Sequence, residues 1–164
     1  MKPKNLTNSQ KSAVREILYQ DADGILRYCI RRGSMLAGMS AGRINKHGYR
    51  EVRVLGLVLL AHRIVWFLCY EEWPMFQLDH RDLNKDNLHI ENLRQSTPSL
   101  NQANKRPMRD GLKGATMLPN GKFQASVKKL GKSYYLGCFD TEQKAHNAYC
   151  QKATELFGEY ARSA

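Results

Sequence analysis

Acidic residues are scarce in this chain. Among its 164 residues, 15 Asp and Glu stand against 26 Lys and Arg, a formal charge of +11 at pH 7. A surface so short of carboxylates attracts polyanions, and nucleic acid or an anionic membrane surface would meet it favourably. Long apolar runs are also missing. The most apolar stretch, Val54 to Tyr70, is interrupted by His62 and Arg63 and is short for a membrane span, so it reads as core. The start, Met1-Lys-Pro-Lys-Asn5, has no apolar run, and no signal peptide is expected there. Paired cysteines are absent. Cys29, Cys69, Cys138 and Cys150 stand apart, with no Cys-x-x-Cys, which argues against a structural zinc site. Their apolar and aromatic neighbours fit reduced, packed thiols of an intracellular protein. No internal repeat and no low-complexity tract occurs.

What is present suits one ordinary domain or two small ones. Splitting the chain after Met108 leaves 17 basic against 10 acidic residues before and 9 against 5 after, so both parts are basic. Thr7 or Asn8 can cap a first helix whose apolar face is Ala13, Val14, Ile17 and Leu18. Asp21 to Gly24 reads as a turn, Ile25 to Arg31 as a strand, and the glycine-rich Arg32 to Gly48 as a loop with a short strand near Arg43. Tyr49 to Val54 alternates, and Leu55-Gly56 can return it into Leu57 to Leu60 as a hairpin. Ala61 to Glu71 predicts a helix closed by Pro74. Leu78 to Leu93 lacks long periodicity, as a two-stranded ribbon around an irregular loop would, and a helix is expected from about Pro98 to Lys105. Lys105 to Gly111 is charged and punctuated by Pro107 and Gly111, which makes it the expected domain boundary, with 1–108 before and 109–164 after. Then come short strands at Ala115 to Met117, Lys122 to Lys129 and Lys132 to Phe139. Thr141 caps a helix over Glu142 to Phe157 with a stripe of Ala145, Ala148, Tyr149, Lys152, Ala153 and Leu156.

Chemistry concentrates between Gln77 and Asn101. Asp79 and His80 are adjacent, and Asn92 and Asn101 follow twelve and twenty-one residues beyond the histidine. A histidine near neutral pKa can deprotonate water as a general base. An Asp oxygen with an amide oxygen is a hard donor pair suited to Mg²⁺. Neighbouring strand residues point to opposite faces, so Asp79 and His80 can hold different roles. His89 reads as a solvated loop residue, His62 as a packed, hydrogen-bonded one, and His47 and His146 carry no signal.

The order Asp79-His80, Asn92, Asn101, with Glu91-Asn-Leu-Arg94 and the upstream His62-Arg-Ile-Val-Trp66, resembles the HNH (His-Me finger) nucleases, in particular the phage and intron homing endonucleases. The resemblance covers about Leu26 to Lys105. It implies a ββα-metal fold with one divalent ion, Mg²⁺ or Mn²⁺. By that resemblance His80 activates water, Asp79 and Asn101 hold the metal, and Asn92 braces the ribbon and helps orient His80. Arg63, Arg94 and Lys105 are expected at DNA phosphates, with His62 and Asn104 in support.

Lys113 to Lys128, Tyr134-Tyr-Leu-Gly-Cys-Phe-Asp140 and the alanine-spaced helix resemble the APETALA/ethylene-responsive-factor DNA-binding domain over about Gly111 to Arg162. That resemblance implies a three-stranded antiparallel sheet laid in the major groove with one helix packed behind it. It places Lys113, Thr116, Lys122, Ser126, Lys128, Ser133 and Tyr135 toward DNA, and Phe123, Ala125 and Val127 toward the helix; Lys132 is also expected to bind DNA. Lysine stands where the plant proteins carry mainly arginine, which favours phosphate contact over base reading. The expected whole is an α+β protein: an HNH nuclease domain, then the sheet-and-helix module. It would be a monomeric, intracellular endonuclease of a phage-infected or bacterial cell, acting on duplex DNA without zinc or membrane. The alternative is a non-catalytic DNA-binding regulator with a relic nuclease domain.

Overall fold

The computed structural model describes residues 5–105 and 111–162. It is a mixed α/β structure of small antiparallel sheets and four α-helices among the described residues. The chain divides into two compact units, Met1–Ser96 and Thr97–Ala164. That division falls ahead of the expected 108/109 boundary, because the helix Pro98–Asn104 joins the apolar cluster of the second unit through Ala103. Most of the expected linker, 106–110, lies outside the described residues.

In the first unit, helix α1 (Asn8–Ile17) starts with a capping box. Thr7 accepts from Gln10 N, and the Gln10 side chain accepts from Thr7 N. The helix stops one residue before the expected Leu18, which instead opens strand β1 (Leu18–Gln20), paired with β2 (Leu26–Tyr28). The turn between them is held by Asp21, whose carboxylate accepts from Ile25 N at 2.7 Å and from Arg27. Strands β3 (Arg43–Ile44), β4 (Arg50–Val54) and β5 (Leu57–Leu60) form an antiparallel sheet in that order. Leu55 and Gly56, both at positive φ, turn β4 into β5 as a two-residue hairpin. Helix α2 (Ala61–Tyr70) lays Ala61, Ile64, Val65 and Phe67 into a core shared with Leu18, Leu26, Val52, Val54 and Leu93. Glu71 in the left-handed region ends it. Strands β6 (Gln77–His80) and β7 (Leu93–Ser96) then pair as a ribbon.

In the second unit, Thr97 caps α3 (Pro98–Asn104), with Pro98 in the first turn, where its missing N–H leaves no bond unmade. Strands β8 (Ala115–Met117), β9 (Phe123–Lys129) and β10 (Lys132–Phe139) form a sheet of order β10-β9-β8, all antiparallel. Helix α4 (Glu142–Phe157), capped by Thr141, buries Ala145, Tyr149, Ala153 and Phe157, with Ala125 and Val127 of β9 buried on the facing side. Gly114 permits the closest approach: a Cβ there would stand 2.0 Å from the Tyr149 ring. The helix also buries His146, whose Nδ1 lies 2.7 Å from the Lys113 carbonyl oxygen, a structural role that no feature of the sequence announced. Among the described residues no helix is long and apolar enough to cross a membrane.

Candidate active site

Cross-strand register sets the first layer of the site. Asp79 stands opposite Arg94 and His80 opposite Leu93. Directly opposed residues share a face, so Asp79 and Arg94 meet. Arg94 Nε and Nη2 both reach Asp79 Oδ2, at 3.0 and 2.9 Å. Both residues are buried, at 8% and 6% exposure. Arg94, expected at a phosphate, therefore lies in the interior, where burying a carboxylate without a partner would be far less favourable.

His80 ends β6 and is 4% exposed. The chain turns at once behind it: Leu83 N donates to the His80 carbonyl at 3.0 Å, with Leu83 held at φ 66°. A left-handed leucine carries backbone strain, which is tolerated where surroundings enforce it. The His80 ring meets the edge of His62 from α2, with centroids 5.0 Å apart and planes at 90°, and Tyr49 lies 6.1 Å away. Burial lowers the His80 pKa; the negative charges of Asp79 and Asp82 offset this in part, and Lys85 adds to it. His62 is driven further, to about 3, by burial first and then by the charges of His80 and Arg63. His62 was expected to be packed and hydrogen-bonded. It is packed, but its Nδ1 has no hydrogen-bond partner among the described residues.

Asn92 closes the loop 81–92. Its Nδ2 donates to Asp82 Oδ1 and to the Asn87 carbonyl, each at 3.0 Å, and its Oδ1 accepts from Asp82 N at 3.0 Å. Asn87 Nδ2 donates to Asp82 Oδ2 at 2.7 Å, and Asn84 N to Asp82 Oδ1 at 2.8 Å. Burial raises the Asp82 pKa, but these donors outweigh it and hold the carboxyl below its usual value. The loop is also anchored from outside. Arg50 grips Asp86 with two bonds of 2.7 and 2.9 Å, Lys85 donates to the His47 carbonyl at 2.8 Å, and Gln20 donates to the Leu88 carbonyl at 2.9 Å. Asn101 lies on α3 in the other unit, with its Oδ1 buried.

The remaining expected contacts sort by exposure. Arg63 donates to the Phe76 carbonyl at 3.1 Å and to that of Pro74, and its guanidinium lies over the Trp73 ring. It clamps the segment after α2 from a partly buried position. Lys113 donates to the carbonyls of Ala103 and Lys105, and burial lowers its pKa to about 8, so it too serves the interior of its unit. Lys132 pairs in register with Lys129, and alternation puts both on the helix side; Lys132 lies over the Tyr134 ring. The outer face of the sheet carries three cross-strand rows: Thr116, Gln124 and Cys138; Ser126 and Tyr135; Lys128 and Ser133. Lys105 and Lys122 are exposed, Lys122 beside Asp140 at 3.4 Å. That face, with Lys122 at its margin, thus holds hydroxyls, an amide, a thiol and Lys128, a thinner positive charge than expected.

Residues 59–103 match the family model described as HNH endonuclease. The segment that holds Asp79, His80, Asn92 and Asn101 is therefore similar to HNH endonucleases. Over 120 residues the chain is 36% identical to an uncharacterised HNH endonuclease of Acanthamoeba polyphaga mimivirus, a stretch covering 72% of this chain and 63% of that protein. The chain thus spans less than two thirds of that relative's length. No solved structure gives a significant match.

Proposed function

We propose that this chain is a DNA endonuclease of the homing type, which hydrolyses phosphodiester bonds in duplex DNA with one divalent ion, Mg²⁺ or Mn²⁺. The observation that carries the reading is a buried imidazole at the end of β6, next to a carboxylate anchored by Arg94, within a segment similar to HNH endonucleases. Burial lowers the His80 pKa and so favours the neutral imidazole. In that form it accepts a proton from the attacking water, as a general base must. By the resemblance Asp79 and Asn101 are the proposed donors: a carboxylate, here oriented by Arg94, and an amide oxygen are both ligand types that suit a hard cation. A divalent ion, when bound, would supply charge neutralisation at the scissile phosphate and the departing oxygen. Asn92 keeps loop 81–92 in shape around the base. Lys122, Ser126, Lys128, Thr116 and Tyr135 are proposed to contact the duplex through the outer sheet face, in the manner of the APETALA/ethylene-responsive-factor fold, mostly at phosphates.

Nicking of supercoiled plasmid in Mg²⁺ or Mn²⁺ tests the proposal. His80→Ala should lose about 10²-fold or more of the cleavage rate while its retardation of duplex DNA in a gel stays near wild type. Wild-type cutting by His80→Ala would refute the assignment of the base. A wild-type protein that binds duplex and never cuts it would leave the DNA-binding regulator as the better reading.

A further inference from the structure

Tyr49 stands in no motif, yet it touches the site from two directions. Its ring lies 5.5 Å from His62 and 6.1 Å from His80, and those two imidazoles are 5.0 Å apart, so the three rings close a triangle. On its other side Tyr49 meets Lys85 from loop 81–92, with Nζ 4.7 Å from the ring centre. Lys85 also holds the carbonyl of His47, and Arg50, the residue after Tyr49, grips Asp86 of the same loop. The turn that leads into β4 is thereby latched to the loop that follows His80. Gly48, at φ +80°, brings that turn within reach of the Lys85 stem.

We propose that Tyr49 and His62 are positioning residues that fix the imidazole plane of His80, and that the Lys85 and Arg50–Asp86 contacts hold Tyr49 against it. This rests on the reading of His80 as the base. Ring pairs at such separations favour tilted and edge-on geometries. An imidazole wedged between two of them has one orientation in which to meet a water. The unpartnered, buried Nδ1 of His62 is informative here. A histidine placed there for hydrogen bonding would have found an acceptor; what the site uses is its flat, neutral ring. Neither residue is asked to touch DNA, so the brace acts on the rate of the chemical step and not on substrate affinity.

The test uses the full chain with Tyr49→Ala, Tyr49→Phe, His62→Ala and His62→Phe, each shown to be folded by the emission of Trp66 and Trp73. In plasmid nicking the alanine variants should lose about tenfold or more in kcat at a KM within about twofold of wild type, since misorientation alone carries losses of this order. The phenylalanine variants should recover most of that loss. A second reading does not depend on cleavage. With histidines labelled at Cε1, the His80 resonance should carry a ring-current shift that Tyr49→Ala removes and Tyr49→Phe keeps. Folded alanine variants with wild-type kcat, phenylalanine variants as impaired as alanine, or a His80 resonance indifferent to Tyr49 would each overturn the brace. If the wild type fails to cut while the resonance behaves as stated, the nuclease reading fails and the brace stands.

Discussion

Lowering the pH from 7 to 5 should destabilise the Met1–Ser96 unit through one side chain more than any other. His62 is 5% exposed, and burial holds its pKa at about 3, whereas in the unfolded chain it returns to an ordinary value near 6.5. Between these values the unfolded chain binds a proton that the folded unit refuses. Stability is therefore complete above about pH 6.5 and falls as the pH drops, by about 1.4 kcal/mol per pH unit once well below it. Working from pH 7 to pH 5 gives a loss of about 2 kcal/mol for His62 alone. His80, also lowered by burial, acts in the same direction. Asp21 and Asp82 are held below the ordinary carboxylate range by their hydrogen bonds, so they contribute little in this window. Both tryptophans, Trp66 and Trp73, belong to the first unit, and their emission during urea denaturation reports on it. His62→Phe keeps a ring at the position but cannot titrate. The drop in stability between pH 7 and 5 should shrink by about 2 kcal/mol in that variant, and His80 contributes to the slope that remains. An unchanged slope, or a His62 that titrates near 6.5 in the folded protein by NMR, would refute the reasoning.

Removing one partner of the buried Asp79–Arg94 pair should be severe. Arg94→Ala is expected to reduce stability by about 3–5 kcal/mol, and the double change Asp79→Leu with Arg94→Leu by much less, both read from urea denaturation. The glycines separate crowding from backbone strain. Gly121→Ala, in open space at φ +78°, should lower stability by about 1 kcal/mol. Gly114→Ala adds the collision with the Tyr149 ring and should lower it by about 3 kcal/mol, measured by thermal melting of the far-ultraviolet dichroism. Equal effects at the two positions would show that the helix gives way.

Local chemistry made much of this chain legible before folding. Leu55-Gly56 between two alternating runs and Thr141 before an alanine-spaced stripe each mark an element by a mechanism that works at short range, and each element is present. What stayed hidden depends on partners distant in the chain. Leu18 continues the helical stripe of α1, so the β1–β2 hairpin was invisible until its pairing with Tyr28 was known. Arg94 looked like any basic residue beside a polar loop; only the register of β6 with β7 sets it against Asp79. Lys132 was expected at DNA, but its register with Lys129 across a two-residue turn puts it on the helix side of the sheet. Tyr49 read as the first residue of a strand, because nothing in its neighbourhood names the two histidines it meets.

Loop 81–92 buries only Leu88 and Asn92, and its shape is held mainly by hydrogen bonds among Asp82, Asn84, Asn87 and Asn92. The core under α2 is apolar, and its stabilisation weakens on cooling. Hydrogen-bond networks with little apolar burial follow a different temperature course, and such regions open locally before the whole fold does. Warming should thus loosen the loop behind His80 while α2 and its sheet remain packed. The upper temperature for any chemistry at His80 is then set by a handful of amides and one carboxylate, below the temperature at which the unit itself melts.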